Sequence, residues 1–187
     1  MNKFLQSALK QFQYYKMLGE KTLDQLNEEN LFWEYNAETN NIAIIVKHLH
    51  GNMLSRWTDF LTTDGEKEWR ARDAEFVNDL TNKVQVIEKW NDGWSCLFKA
   101  LNSLKEEDLE KVIYIRNQGQ TVVEAINRQL CHYSYHVGQI VFFGKMICNE
   151  NWQSLSIPKN QSQQYNANKF SQEKHIEHFT DQSLKKE

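Results

Sequence analysis

A chain of 187 residues is long enough for one domain with a substantial core. With 22 Lys and Arg against 25 Asp and Glu, its net charge of -3 leaves no broad basic surface of the kind needed to neutralise nucleic-acid phosphates. The 3 cysteines are scattered, and none lies in a Cys-x-x-Cys pair, so a disulfide framework is excluded and a reducing, cytoplasmic setting fits best. No stretch approaches the ~18 apolar residues of a membrane span, and the opening residues alternate too closely for a signal-peptide core. A single proline and 7 glycines leave few breakers, which favours long helices.

Residues 2–27 place Phe4, Leu5, Ala8, Leu9, Phe12, Tyr15, Met17, Leu18 and Leu26 at helical spacing and predict a first helix. NEENLFWEYNAETNN reads as a loop that packs its own aromatic side chains. Asn40 or Asn41 supplies the N-cap of a second helix running to about residue 61, with Ile42, Ile45, Val46, Leu49, Met53, Trp57 and Phe60 on one face. Asp64-Gly65 is a turn signal within a long connection that carries Arg70, Arg72 and Asp73. Leu80, Val84, Ile87, Trp90, Trp94, Leu97, Phe98 and Leu101 predict a third helix over 77–104.

A β-prone piece at 112–115, with a turn at 117–119, is too short to make a sheet. The fourth helix spans 121–148. The chain after it is polar and punctuated by Pro158, and residues 169–187 form a polar tail, either a short surface helix or disordered. These elements define an all-α four-helix bundle with a short β-prone connection before the last bundle helix.

The fourth helix keeps polar groups where a plain core helix would not. At about 100° per residue, Ala125, Arg128, Gln129, Tyr135, His136, Gln139, Ile140 and Phe143 cluster around His132. Val123, Ile126, Leu130, Val137 and Val141 form a second, apolar stripe, so the helix is buried on two sides. His132 and His136 are stacked one turn apart. Such a pair is either two buried imidazoles with ordinary partners or two ligands of one divalent ion. No Glu follows His132 as a zincin motif requires, which removes a metalloprotease. A third ligand would come from the second helix, where spacing leans to His50, with His48 beside it.

The run NNIAIIVKHLHGNMLSRWTDFLTTDGEKEWRARDAEF, followed by AINRQLCHYSYHVGQIVFFGK, resembles the DinB/YfiT-like family of four-helix-bundle proteins, in particular a bacillus-type branch. The resemblance spans about residues 1–168, taken as the bundle domain. Its specific parts are an Ile-Ala run ahead of a histidine and a later His-x-x-x-His-x-Gly-Gln. It implies a divalent metal, Zn²⁺ or Ni²⁺, on His48, His132 and His136, with His50 as the fallback for His48. It further implies a homodimer and a metal-dependent enzyme that activates a small thiol or water for group transfer or hydrolysis. The alternative is a non-catalytic metal-binding or stress-related bundle. Asn52, Arg56, Arg128, Tyr135 and Gln139 are the candidates for orienting ligands or touching substrate.

Overall fold

The computed structural model describes residues 2–185; Met1 and the last two residues of the tail lie outside the described residues. Seven α-helices and one β-ribbon are present among them. Helix α1 spans Lys3–Leu23, α2 is the single turn Glu28–Leu31, and α3 spans Ile42–Trp57. Helix α4 spans Lys83–Ser103, strands β1 and β2 are Val112–Ile115 and Gln118–Thr121, and α5 is Val122–Cys148. Helices α6, Ser162–Phe170, and α7, Asp181–Leu184, follow.

The long helices start where side chains satisfy their orphan amides. Asn41 Oδ1 accepts from the Ile44 amide at 2.9 Å and Asn82 Oδ1 from Gln85 at 3.0 Å. Thr121 and Glu124 form a capping box at the head of α5. Three boundaries differ from the sequence reading. Helix α1 stops at Leu23, where Gln25 and Leu26 donate to the carbonyls three residues back. Helix α3 stops at Trp57, and Phe60 stays in the core from an irregular segment. Helix α4 begins only after Asn82; the chain ahead of it includes the 3₁₀ turn Asp73–Phe76.

The β-prone piece does find a partner, which corrects the expectation that it makes no sheet. β1 and β2 pair antiparallel, with Val112 opposite Thr121 and Ile115 opposite Gln118. The two linking residues, Arg116 and Asn117, have φ of 53° and 61°, the left-handed pair that a two-residue hairpin turn needs. Asp64 holds that turn from the long connection, accepting from the Arg116 amide at 2.8 Å and the Asn117 amide at 2.9 Å. Ile113 and Ile115 face the core while Val112 and Tyr114 face out.

Helices α1, α3, α4 and α5 form the bundle: α3 packs on α4, α1 on α5, and α3–α5 and α1–α4 contacts close the ring. Phe12, Leu49, Met53, Trp94, Leu97, Leu101, Ile126 and Tyr133 fill its centre. The chain around α7 folds back on α1, where Ser7 Oγ meets His178 Nε2 at 3.0 Å and Lys10 pairs with Asp181 at 2.6 Å. Among the described residues no helix is long and apolar enough to cross a membrane.

Candidate metal centre

Helix α3 brings His48 against His132 and His136 of α5. His48 Nε2 lies 3.4 Å from His132 Nε2, which lies 3.1 Å from His136 Nε2. One ligand atom from each ring lies within 4.8 Å of the others. His48 and His136 are buried and His132 is half-buried.

The outer nitrogens decide what the inner ones can do. His48 Nδ1 is 2.9 Å from Glu75 Oε2, and because an ionised carboxylate only accepts, the imidazole must donate there. Neutral His48 therefore keeps a bare lone pair on Nε2. His136 Nδ1 faces Gln139 Oε1 at 2.8 Å, and His132 Nδ1 faces Gln129 Oε1 at 3.3 Å, each three residues away on the same helix. With all three outer protons donated to oxygen, three lone pairs converge, an arrangement that a cation satisfies and that is otherwise repulsive. The spacing fits: Zn–N bonds of about 2.0–2.1 Å at tetrahedral angles separate ligand nitrogens by about 3.4 Å.

Charge at the cluster is disfavoured. Burial, then the neighbouring His136 and His48, then the positive Arg56 and Arg128, push the His132 pKa down to about 3. Burial likewise lowers His136 to about 4, opposed by its bond to Gln139 and aided by His48. Burial works to raise the Glu75 carboxyl, but hydrogen bonds from His48 and Arg70 outweigh it and hold the group below its ordinary value. His132 and His136 are thus held neutral, as metal ligands must be.

Around the cluster, the Phe76 ring stacks on His48 with centroids 5.0 Å apart, and Tyr135 lies against His136 at 4.0 Å. Tyr135 and Arg128 are both exposed. Asn52 accepts a hydrogen bond from the Tyr133 hydroxyl at 3.0 Å, and Arg56 binds Glu66 at 3.2 Å and the Gly65 carbonyl, so both are engaged away from the imidazole nitrogens. His50 stands apart from the cluster and meets Asp92 of α4 at 2.8 Å, against the lean of its helical spacing. The reason is that α3 packs on α4 along one side and α5 along another, so its apolar stripe does not mark the side facing α5. Sequence reasoning missed Glu75 as a partner of His48 and Gln129 as a partner of His132; the only hint of the former was the alternating charge of the long connection.

Fold and cluster together define a four-helix-bundle protein with three imidazoles able to hold a metal ion. Over residues 1–161 the chain matches DUF1572, described as a protein of unknown function, and it belongs to that family. Comparison with curated proteins and with solved structures gives no match.

Proposed function

We propose that this protein is a DinB/YfiT-like metalloenzyme in which His48, His132 and His136 hold Zn²⁺ or Ni²⁺ and a small thiol or water is activated for group transfer or hydrolysis. DUF1572 is grouped with the DinB/YfiT-like proteins, which supports the class. The observation that carries the reading is the convergence of three Nε2 atoms whose Nδ1 partners are all oxygen acceptors. When bound, a divalent ion on three neutral nitrogens supplies Lewis acidity and an open coordination position. The chain's own residues supply orientation: Gln129, Gln139 and Glu75 fix the rings. Exposed Arg128, one turn before His132, is our candidate to meet an anionic group, and exposed Tyr135, whose ring lies against His136, our candidate hydrogen-bond donor to substrate.

Elemental analysis of untagged protein beside the His48→Ala and His136→Ala variants tests this. The expected result is about one ion per chain, lost in both variants, and a thiol-transfer or hydrolytic turnover that chelation abolishes. Turnover that survives chelation would sink the enzyme reading. An ion that raises stability with no reactivity toward thiols and electrophiles would make the protein a non-catalytic metal-binding bundle.

A further inference from the structure

We infer that Glu75 is the positioning residue of the histidine cluster: it fixes the tautomer in which His48 presents Nε2 to a divalent ion, and it does so from outside the bundle helices. The inference rests on the metal reading above. Of the three oxygens that receive an imidazole Nδ1 proton, only this one belongs to a carboxylate, and only this one is distant in the chain, 27 residues from its histidine. Glu75 is buried, 6 % exposed. Arg70 grips it with Nε on Oε1 at 2.7 Å and Nη2 on Oε2 at 3.0 Å, so Oε2 is shared between the guanidinium and His48.

Arg70 is in turn anchored to Glu66 at 3.4 Å, and Glu66 meets Arg56 of α3 and Arg116 of the hairpin turn, each at 3.2 Å. Beneath the carboxylate lies Gly51, which leaves the room the carboxylate occupies. A carboxylate present only to neutralise Arg70 would need neither that space nor the contact with His48. The connection between α3 and α4 therefore delivers a fixed acceptor, and a carboxylate on Nδ1 also makes Nε2 the better donor to a metal.

The test uses the full chain. Zn²⁺ affinity is measured by competition with a chromophoric chelator for wild type, Glu75→Gln, and a double variant carrying Arg70→Met and Glu75→Met. The double variant removes both buried charges at once and so avoids leaving one unpaired. Imidazole ¹⁵N NMR on the metal-free wild type and variants reads the His48 tautomer directly. We expect the wild-type proton on Nδ1, its loss from that position in the double variant, and Zn²⁺ binding weakened about 10–100-fold in that variant when it remains folded by circular dichroism. Glu75→Gln keeps an amide oxygen that accepts from Nδ1, as Gln129 and Gln139 do, and should hold the tautomer while weakening Zn²⁺ binding less. A folded double variant that binds Zn²⁺ as tightly as wild type, or a metal-free wild type with the His48 proton on Nε2, would overturn the inference. A wild type that binds no Zn²⁺ would overturn the metal reading instead, and the NMR arm alone would then decide whether Glu75 orients His48.

Discussion

Gly51 and Glu75 compete for one volume: a methyl group built on Gly51 would stand 2.7 Å from the Glu75 carboxyl carbon. Arg70 holds that carboxylate, so it cannot swing aside without breaking the two-point ion pair. Gly51→Ala is therefore expected to displace Glu75 from His48 and to weaken Zn²⁺ binding by about 10-fold or more, as loss of a ligand's outer partner does. Gly138→Ala is the matched control, because a Cβ there meets nothing within 4 Å. It should leave affinity unchanged and raise stability by about 0.5–1 kcal/mol through helix propensity. Chelator competition and denaturant titration on both variants check the contrast.

His132 Nε2 lies 3.4 Å from His48 Nε2 and 3.1 Å from His136 Nε2, so its loss should abolish metal binding. Saturating ligand stabilises a folded protein by about 2.7 kcal/mol at 100 times its Kd, and about 2–4 °C of Tm accompanies each kcal/mol in a domain of this size. Zn²⁺ at that excess is expected to raise the wild-type Tm by about 5–11 °C. His132→Ala should show no such shift, while His50→Ala, which loses only its contact with Asp92, should keep it. An equal shift in the two variants would place the ion elsewhere.

The four bundle helices were legible from their apolar period, and in α3 the capping residue Asn41 agrees with it. The start of α4 was misjudged because Val77 and Leu80 continue the apolar phase through the connection, while Asn82 sets the true start. On α5 the pairing of His132 and His136 follows from spacing. The choice between His48 and His50 does not, since α3 is covered on two sides and a wheel gives no rule for which side meets α5. Glu75 was out of reach for a different reason: its partner is 27 residues away, and a 3₁₀ turn in a charged connection has no period to read. Tyr133 fell between the two stripes of α5, yet it is fully buried where α5 meets α1 and α3.

That tyrosine links the helices through its hydroxyl, which accepts from Trp57 Nε1 at 3.1 Å and donates to Asn52 Oδ1 at 3.0 Å. Tyr133→Phe leaves a buried indole N–H and a buried amide oxygen without their partner. The expected cost is about 1–3 kcal/mol of unfolding free energy, measured by denaturant titration. Zn²⁺ affinity should change little, because none of these atoms touches an imidazole nitrogen of the cluster. A large loss of metal binding without loss of stability would instead assign Tyr133 to the site.

The depressed imidazoles make the metal-free protein acid-sensitive in a window that carboxylates do not reach. Unfolded histidine titrates near 6.5, whereas His132 and His136 in the fold are held at about 3 and about 4. Below pH 6.5 the unfolded chain takes up protons that the folded chain refuses, so stability falls as pH falls, and it stops falling on this account only below the folded values. Above about pH 7 both states are neutral and the contribution is flat. In chelator, the wild-type Tm is expected to drop steadily between pH 7 and pH 5. A variant carrying His132→Gln and His136→Gln should lose much of that slope while keeping the steeper fall that acidic groups cause below about pH 4.5. Added Zn²⁺ should steepen the wild-type dependence, since protons and metal compete for the same Nε2 atoms. A metal-free wild type with a flat Tm from pH 7 to pH 5 would mean that the cluster accepts a proton without cost, and the three converging lone pairs would then be held together by a shared proton rather than kept open for an ion.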